Sequence, residues 1–578
     1  MRRTPRVVVA AAVALAGVLG LGACAQIPTS GPVRVSTADQ DPQADLALLP
    51  QGPTPGAEPN LIVQGFLGAA VAAPTSPKEY QTAREFLTED AAGTWDPYAS
   101  VRVVREPPMP DPFETGINIE GVETLEVVVR ATTIATLDTA GAYTEVADPR
   151  KVGYQFTLTR VGEEWRISGL DNGVLVPANL FANQFRATRL YFSAEGEDAK
   201  NLVPDLRWFP RNSWRLNAVE ELLAGPPEWL QGATRSLFPE GTQLVSPTIQ
   251  EADGDEPVAV RFSEQISSAT AAQRALIAAQ ISATLSEGAG RTVPVDLFNG
   301  TNRLAVDAAD VKLPATIVQA MFLKDDQLYR IEEDGRPVEH DLPVDLSAMD
   351  PTALAVSPAA IPIVVRDGTD RIVNVSADGG DSPDRIIEGP DLAAPSVDKF
   401  GNTWTSGGTN DLRVLPASGA EVTVPAEWLG GRKVVSVSVS PEGSRIAVVS
   451  HAPSGTQVQV AGIVRNEDEV PVGLAPPLTV AGPVDGVEEA RWSGLTTLSL
   501  LTRNGDGVSG VWTAGVGGQA GAGGQSRQLP GLTDVRQLAA GVTDQGLLVV
   551  TKDGDLEHEE TGVWQPLVED VDLVAYPG

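Results

Sequence analysis

Between about Thr316 and Gly578 the sequence shows no helical periodicity. Gly, Pro, Asp and Val dominate, and one pattern keeps returning. Segments beginning at Ala353, Ala394, Val434, Glu488 and Val535 start about 41, 40, 54 and 47 residues apart, close to the ~40–45 residues of one four-stranded propeller blade. Each reads as strand, tight turn, strand, and one such unit cannot bury its faces alone. About 260 residues at that period make roughly six blades, so residues 316–578 read as an all-β propeller.

The opposite end of the chain carries an address. Met1-Arg-Arg-Thr-Pro-Arg6 is basic, Val7 to Leu21 is apolar and uncharged, and small residues follow. This is an export signal, because the apolar run falls short of the roughly 20 residues of a membrane-spanning helix. Leu21, Gly22 and Ala23 stand before Cys24, the one cysteine in 578 residues. The pattern resembles the bacterial lipoprotein box. That resemblance implies cleavage between Ala23 and Cys24, with a diacylglycerol on the thiol and an acyl chain on the new N-terminus. Two or more chains hold a protein on a bilayer where one does so only marginally. Residues 1–23 are then the signal peptide. Residues 24–58, rich in Pro, Gly, Asp and Gln, read as a flexible linker.

Charge narrows the partners. The 76 Asp+Glu against 42 Lys+Arg give a net charge of −34, and about −37 once Arg2, Arg3 and Arg6 leave with the signal. Such a surface repels phosphates, which argues against nucleic acid, and it repels anionic lipid, so the covalent lipid has to be the anchor. A single cysteine excludes an internal disulfide and a multi-thiolate zinc site.

Two units precede the propeller. Residues 59–180 read as an α+β domain. Asn60 can cap a helix carrying Leu61, Ile62, Phe66, Leu67 and Ala70. A short helix follows over Glu79–Leu87, then strands at Thr124–Leu137, Val152–Leu158 and Glu164–Leu170 around a Gly162-Glu163 turn. The last hairpin, through Trp165, resembles that of nuclear-transport-factor-2-like domains, in which Trp165 could face a ligand pocket; burial in the core is the plainer reading. Residues 187–311 read as an α/β unit. Ser213 can cap a helix that Gly225 stops and Pro226-Pro227 cannot continue. A strand at Val258–Phe262 precedes a helix from about Ser268 to Ser286, with Ile277, Ile281 and Leu285 on one stripe, and a strand at Val293–Leu297 follows. Tyr191-Phe192, Leu222-Leu-Ala-Gly-Pro226, Phe238-Pro-Glu-Gly-Thr242 and Val260-Arg-Phe-Ser263, in that order, resemble the GerMN domain of germination and envelope proteins.

In the propeller, Ser440-Pro-Glu-Gly-Ser-Arg-Ile-Ala447 resembles the hairpin of TolB-type propellers. The whole order, a lipobox followed by these three units, resembles the LpqB lipoprotein family of high-GC Gram-positive bacteria. The resemblance implies partnership with the extracytoplasmic domain of a sensor histidine kinase, MtrB of the MtrA–MtrB two-component system. It also implies a place in cell division and envelope integrity, on the outer face of the cell membrane, with no cofactor beyond the lipid on Cys24.

No catalytic or metal-ligating residues emerge. His340, His451 and His558 are far apart with no His-Glu-x-x-His, and no Gly-x-Ser-x-Gly occurs. Gly515-Val-Gly-Gly-Gln-Ala520 formally fits a dinucleotide motif but lies in a Gly-rich stretch, Gly515–Ser526, which reads as a solvated loop. Ser396-Val-Asp-Lys-Phe-Gly-Asn-Thr-Trp404 resembles the Asp box of sialidase propellers, a structural turn. Asp553–Glu559 reads as a hairpin turn, lacking the glycine of an EF-hand loop. The expectation is a non-enzymatic accessory protein. The alternatives are a lipoprotein binding cell-wall glycan and a propeller glycoside hydrolase, the latter needing two carboxylates about 5–9.5 Å apart.

Overall fold

The computed structural model describes residues 50–76, 78–111, 121–196, 200–250, 256–286, 292–309, 311–313, 319–332, 334–376, 386–408, 411–519, 522–542 and 546–578. The signal peptide and the lipobox residues Leu21, Gly22, Ala23 and Cys24 lie outside them. Among the described residues no helix is long and apolar enough to cross a membrane.

Helix α1 spans Pro59–Ala72 and buries Ile62, Val63, Phe66, Leu67 and Ala70. Asn60 is not its cap. Glu58 holds that position and Pro59 opens the helix, where its missing N–H costs nothing and its φ is preset. The earlier start leaves Leu61 57% exposed, off the buried stripe. The second expected helix is shorter. Glu79 takes a positive φ of 48°, so helix α2 covers only Gln81–Arg84. Helix α3, Glu89–Thr94, restarts the chain with Thr88 Oγ1 accepting from the Ala91 N–H.

These helices lie against a seven-stranded sheet. Its main path runs Glu164–Gly169, Lys151–Val161, Thr124–Leu137, Val101–Val104 and Val174–Pro177; the last pair is parallel, the others antiparallel. Trp165 is buried in it, with the Arg160 guanidinium 4.7 Å from its ring. Phe66 meets Trp95 and Phe156 edge-on at 5.1 and 5.9 Å. What remains between Phe66, Tyr154 and Phe156 is about 20 Å³, room for a single water. Trp165 shares one buried cluster with Ile62, Val63, Phe66 and Leu67 of helix α1, so it is core.

After helix α4 (Ala178–Gln184), a long antiparallel pair, Phe185–Ala194 with Leu202–Pro210, begins the middle domain. Helix α5, Trp214–Ala224, starts after Ser213, whose side chain makes no capping bond, and ends at Gly225 with φ 93°. The helix expected from about Ser268 starts three residues later. A 3₁₀ turn, Glu264–Ser268, comes first, and helix α6 runs Ala271–Ser286. The break has a local cause: the Gln273 N–H donates to Thr270 Oγ1 and the Thr270 N–H donates to Gln273 Oε1, a reciprocal capping box. Ile277, Ile281 and Leu285 are buried, as their spacing predicts. Val258–Phe262 pairs in parallel with Val295–Asn299.

The remaining sheets form a six-bladed propeller. Five blades follow one another along the chain, with inner strands Pro351–Val356, Ser396–Val397, Lys433–Val439, Val487–Trp492 and Val535–Ala540. The sixth is composite. Met321–Lys324, Gln327–Ile331 and Pro337–His340 accept Leu573–Ala575 as their innermost strand. That pairing closes the ring and leaves no open edge between first and last blades. It also explains why the repeat is visible only from Ala353: the blade before it borrows a strand from about 250 residues away. Tyr576-Pro577-Gly578 continue across the axis, where the Gly578 N–H donates to Val356 O at 2.9 Å. The central cavity there is reduced to about 30 Å³.

Candidate functional site: a junction of three domains

The Gly-rich stretch at Gly515–Ser526 corrects its sequence reading. Its described residues are docked against the other two domains. Trp208 Nε1 donates to Gly517 O at 2.9 Å, and the Tyr143 hydroxyl donates to Gly523 O at 2.6 Å. The N–H and hydroxyl of Ser526 both donate to the Glu145 carboxylate, at 2.6 and 2.7 Å. Gly517, Gly518, Gly523 and Gly524 all have positive φ. At Gly517 a Cβ would stand 2.4 Å from Leu206 O, so close approach and a left-handed backbone both demand glycine. Composition alone suggests disorder; the aromatic rings that the glycines admit come from residues more than 300 positions away.

Beneath this loop lie charges. Asp205 and Arg207 form a buried pair at 2.7 Å, and Arg207 also donates to Ala140 O of the first domain. Arg445, at the propeller hairpin Ser440–Ala447, is fully buried. It holds Glu442 at 2.5 Å, donates to Pro204 O of the middle domain and to Leu495 O, and lies 4.4 Å over the Trp492 ring. Burial alone would raise the Glu442 pKa; Arg445 and the Ser440 hydroxyl outweigh it and hold the carboxyl below its usual range. The sequence signal was present but easily missed. Asp205 and Arg207 are opposite charges two apart, on one face of an otherwise apolar strand. The apolar core follows the same junction, since one buried cluster joins Phe192, Val219 and Phe262 to Val449, Leu498 and Ala514 of the propeller.

Glu221, beside this cluster, has its pKa raised to about 7 by burial, with Asp138, Asp205 and Glu220 adding to the effect and Arg207 opposing it. A carboxyl raised in the folded state destabilises as it ionises, so its cost is absent below the unfolded value near 4.3 and complete above about 7. Glu221→Gln is therefore expected to melt with the wild type at pH 4 and above it at pH 8, as thermal scans across that window will show.

The other sequence-named residues are dispersed. His340, His451 and His558 lie in three different blades. Asp398 is a turn residue: its carboxylate accepts from the N–H groups of Phe400 and Asn402, from Trp404 Nε1 and from Arg465. Asp553–Glu559 carries the Thr551–Asp555 hairpin contact, with Gly554 at φ 93°. A concavity of about 1120 Å³ opens in the middle domain between helix α6 and residues Arg303–Ala309, with the Asp296–Arg303 ion pair at its side.

Fold and junction together define a multidomain protein in which an α+β domain and an α/β domain are clamped onto a six-bladed propeller. Three family models match in the same order. "Lipoprotein LpqB, N-terminal domain" covers residues 52–182, "Sporulation and spore germination" 189–297, and "Lipoprotein LpqB beta-propeller domain" 326–577. Proteins named Lipoprotein LpqB match over most of the chain. That of Streptomyces coelicolor is 27% identical over 100% of this chain and 98% of its own, that of Streptomyces avermitilis 26% over 97% of each, and that of Bifidobacterium longum 26% over 82% of each. Among solved structures, TolB from Acinetobacter baumannii aligns with a TM-score of 0.35 and 12% identity, over 57% of this chain and 81% of that one. The chain belongs to the LpqB lipoprotein family.

Proposed function

We propose that the chain is a non-enzymatic accessory lipoprotein, held on the extracytoplasmic face of the cell membrane by lipid on Cys24, that binds the outer domain of an MtrB-like sensor histidine kinase. The observation that carries this reading is the interlocked junction around Arg445 and Gly517, which lets three domains offer one surface. Such a surface regulates by binding one state of a kinase better than another, since a partner shifts an equilibrium only by its differential affinity. The reading needs no cofactor. The filled propeller axis supports it over a propeller hydrolase, because Tyr576–Gly578 occupy the place where a substrate would enter from that side. The test is crosslinking in intact cells followed by purification of wild type and Cys24→Ala. Enrichment of a sensor kinase with the wild type alone is expected, together with loss of the variant from the membrane fraction. A wall polymer recovered in place of a kinase would favour the second reading, a glycan-binding lipoprotein using the cleft beside helix α6.

A further inference from the structure

Between the blades whose inner strands are Pro351–Val356 and Ser396–Val397 lies a pocket of about 310 Å³. Strand register explains its walls. Val364 pairs with Asn374, and Thr403 pairs with Val397 and with Leu415, so each set stands on one face of its sheet. The two faces meet. One buried cluster joins Val364 and Ile372 to Val397, with Leu415 packed against it. Asn374 and Thr403 interrupt this apolar contact, and both line the pocket. A further wall, Lys399 and Phe400, abuts the hairpin Ser440–Ala447: a Cβ on Gly443 would stand 3.1 Å from each. The pocket therefore lies beside the hairpin that carries Arg445 to the middle domain.

Its polar groups have donors to spare. Thr403 is 4% exposed, and its hydroxyl makes no hydrogen bond among the described residues. Asn374 Oδ1 accepts from the N–H and the hydroxyl of Ser376, and the amide nitrogen of Asn374 donates to nothing among the described residues. An unmet donor taken out of water is costly, so a ligand that brings acceptors is favoured. Lys399 supplies the charge of the lining. Although the chain has 76 Asp+Glu, no carboxylate of the described residues lines the pocket.

Volume and rim choose the kind of ligand. A pocket that holds a whole small molecule encloses most of it, and about 310 Å³ stands at the foot of that range. Here Ile361, one of the lining residues, is 64% exposed, which suits a larger partner resting on the rim. A sugar fits poorly. Phe400, the ring it would stack on, already carries the Lys399 ammonium at 4.8 Å and the Arg465 guanidinium at 4.5 Å. We infer that this pocket between blades anchors a protein partner through a leucine-sized side chain followed by an acidic residue. The side chain enters against Val364, Ile372 and Leu415, the backbone carbonyls beside it accept from Asn374 and Thr403, and the carboxylate meets Lys399. One cation suits one carboxylate, whereas a chain of net charge −34 repels a polyanion. This inference does not depend on the kinase reading.

The test is saturation-transfer NMR on the detergent-solubilised full chain with three probes: acetyl-Ala-Leu-Glu-Ala-amide, its Leu-Gln counterpart, and free 4-methylpentanoate. Saturation of the leucine methyl groups is expected, with the Leu-Glu peptide bound about threefold to tenfold more tightly than the Leu-Gln peptide, the scale of one charge-assisted contact. Lys399→Gln is expected to erase that preference and to leave binding of the Leu-Gln peptide as it was, a pattern that a folding defect does not produce. Ala417→Trp, which fills the pocket from an exposed position, is expected to abolish binding of both peptides at an unchanged melting temperature. No transfer to either peptide, a preference that survives Lys399→Gln, or full binding by Ala417→Trp would overturn the inference. So would 4-methylpentanoate binding as tightly as the Leu-Glu peptide, since the pocket would then serve a small acid.

Discussion

Replacing Arg445 with alanine is expected to cost about 3–5 kcal/mol, because it strips the partner from a buried carboxylate. Glu442 is 4% exposed and takes its only ion pair among the described residues from Arg445, through two hydrogen bonds. The same substitution removes the bond to Pro204 O and the cation over Trp492, so the propeller should loosen from the middle domain as well. The pH profile gives the sharper reading. In the wild type Glu442 has a lowered pKa, so its contribution is present above the unfolded value near 4.3 and is lost as pH falls through the folded one. In the variant the Arg445 charge no longer opposes burial and only hydrogen bonds such as that from the Ser440 hydroxyl remain, so the Glu442 pKa rises and stability should improve on mild acidification. Denaturant midpoints at pH 4.5 and pH 8 for both proteins check this. The double variant Glu442→Gln, Arg445→Met should recover part of the loss, since an apolar group with a neutral partner leaves no buried charge.

Gly517→Ala should release the glycine loop. The new Cβ meets a backbone carbonyl, Leu206 O, at 2.4 Å, and the residue must also hold φ near 87°. Strain of that kind costs about 1–3 kcal/mol, and the loop can escape it by lifting away. Lifting gives up the bond from Trp208 Nε1 to Gly517 O and uncovers both Trp208 and Tyr143. A change of one to two kcal/mol raises the open population roughly 5–30-fold. Limited proteolysis should therefore cut the variant within Gly515–Ser526 faster by about that factor, with red-shifted tryptophan emission. Equal cleavage rates would mean that the loop does not clamp the domains.

The same loop shows where sequence reasoning reaches its limit. Repeating strand–turn–strand units make a propeller legible because period and alternation are local properties that every blade states again. The stripe Ile277, Ile281, Leu285 is likewise local, and so is the Gly225 stop; both appear in the structure as read. Small offsets arise where two local signals compete, as when Pro59 opens helix α1 ahead of Asn60, or when Thr270 and Gln273 form a capping box inside the expected helix.

The sequence by itself determined the order of three folded units and the architecture of the last, since composition and period need no distant partner. Only the tertiary structure decided the rest. Leu573–Ala575 complete the first blade, Arg445 reaches Pro204, and a glycine run that composition marks as solvated is pinned by Tyr143, Glu145 and Trp208. The physical reason is common to all three. Each depends on groups between about 240 and 380 residues apart, and a backbone carbonyl or a bare glycine surface carries no mark in the sequence of what will dock on it.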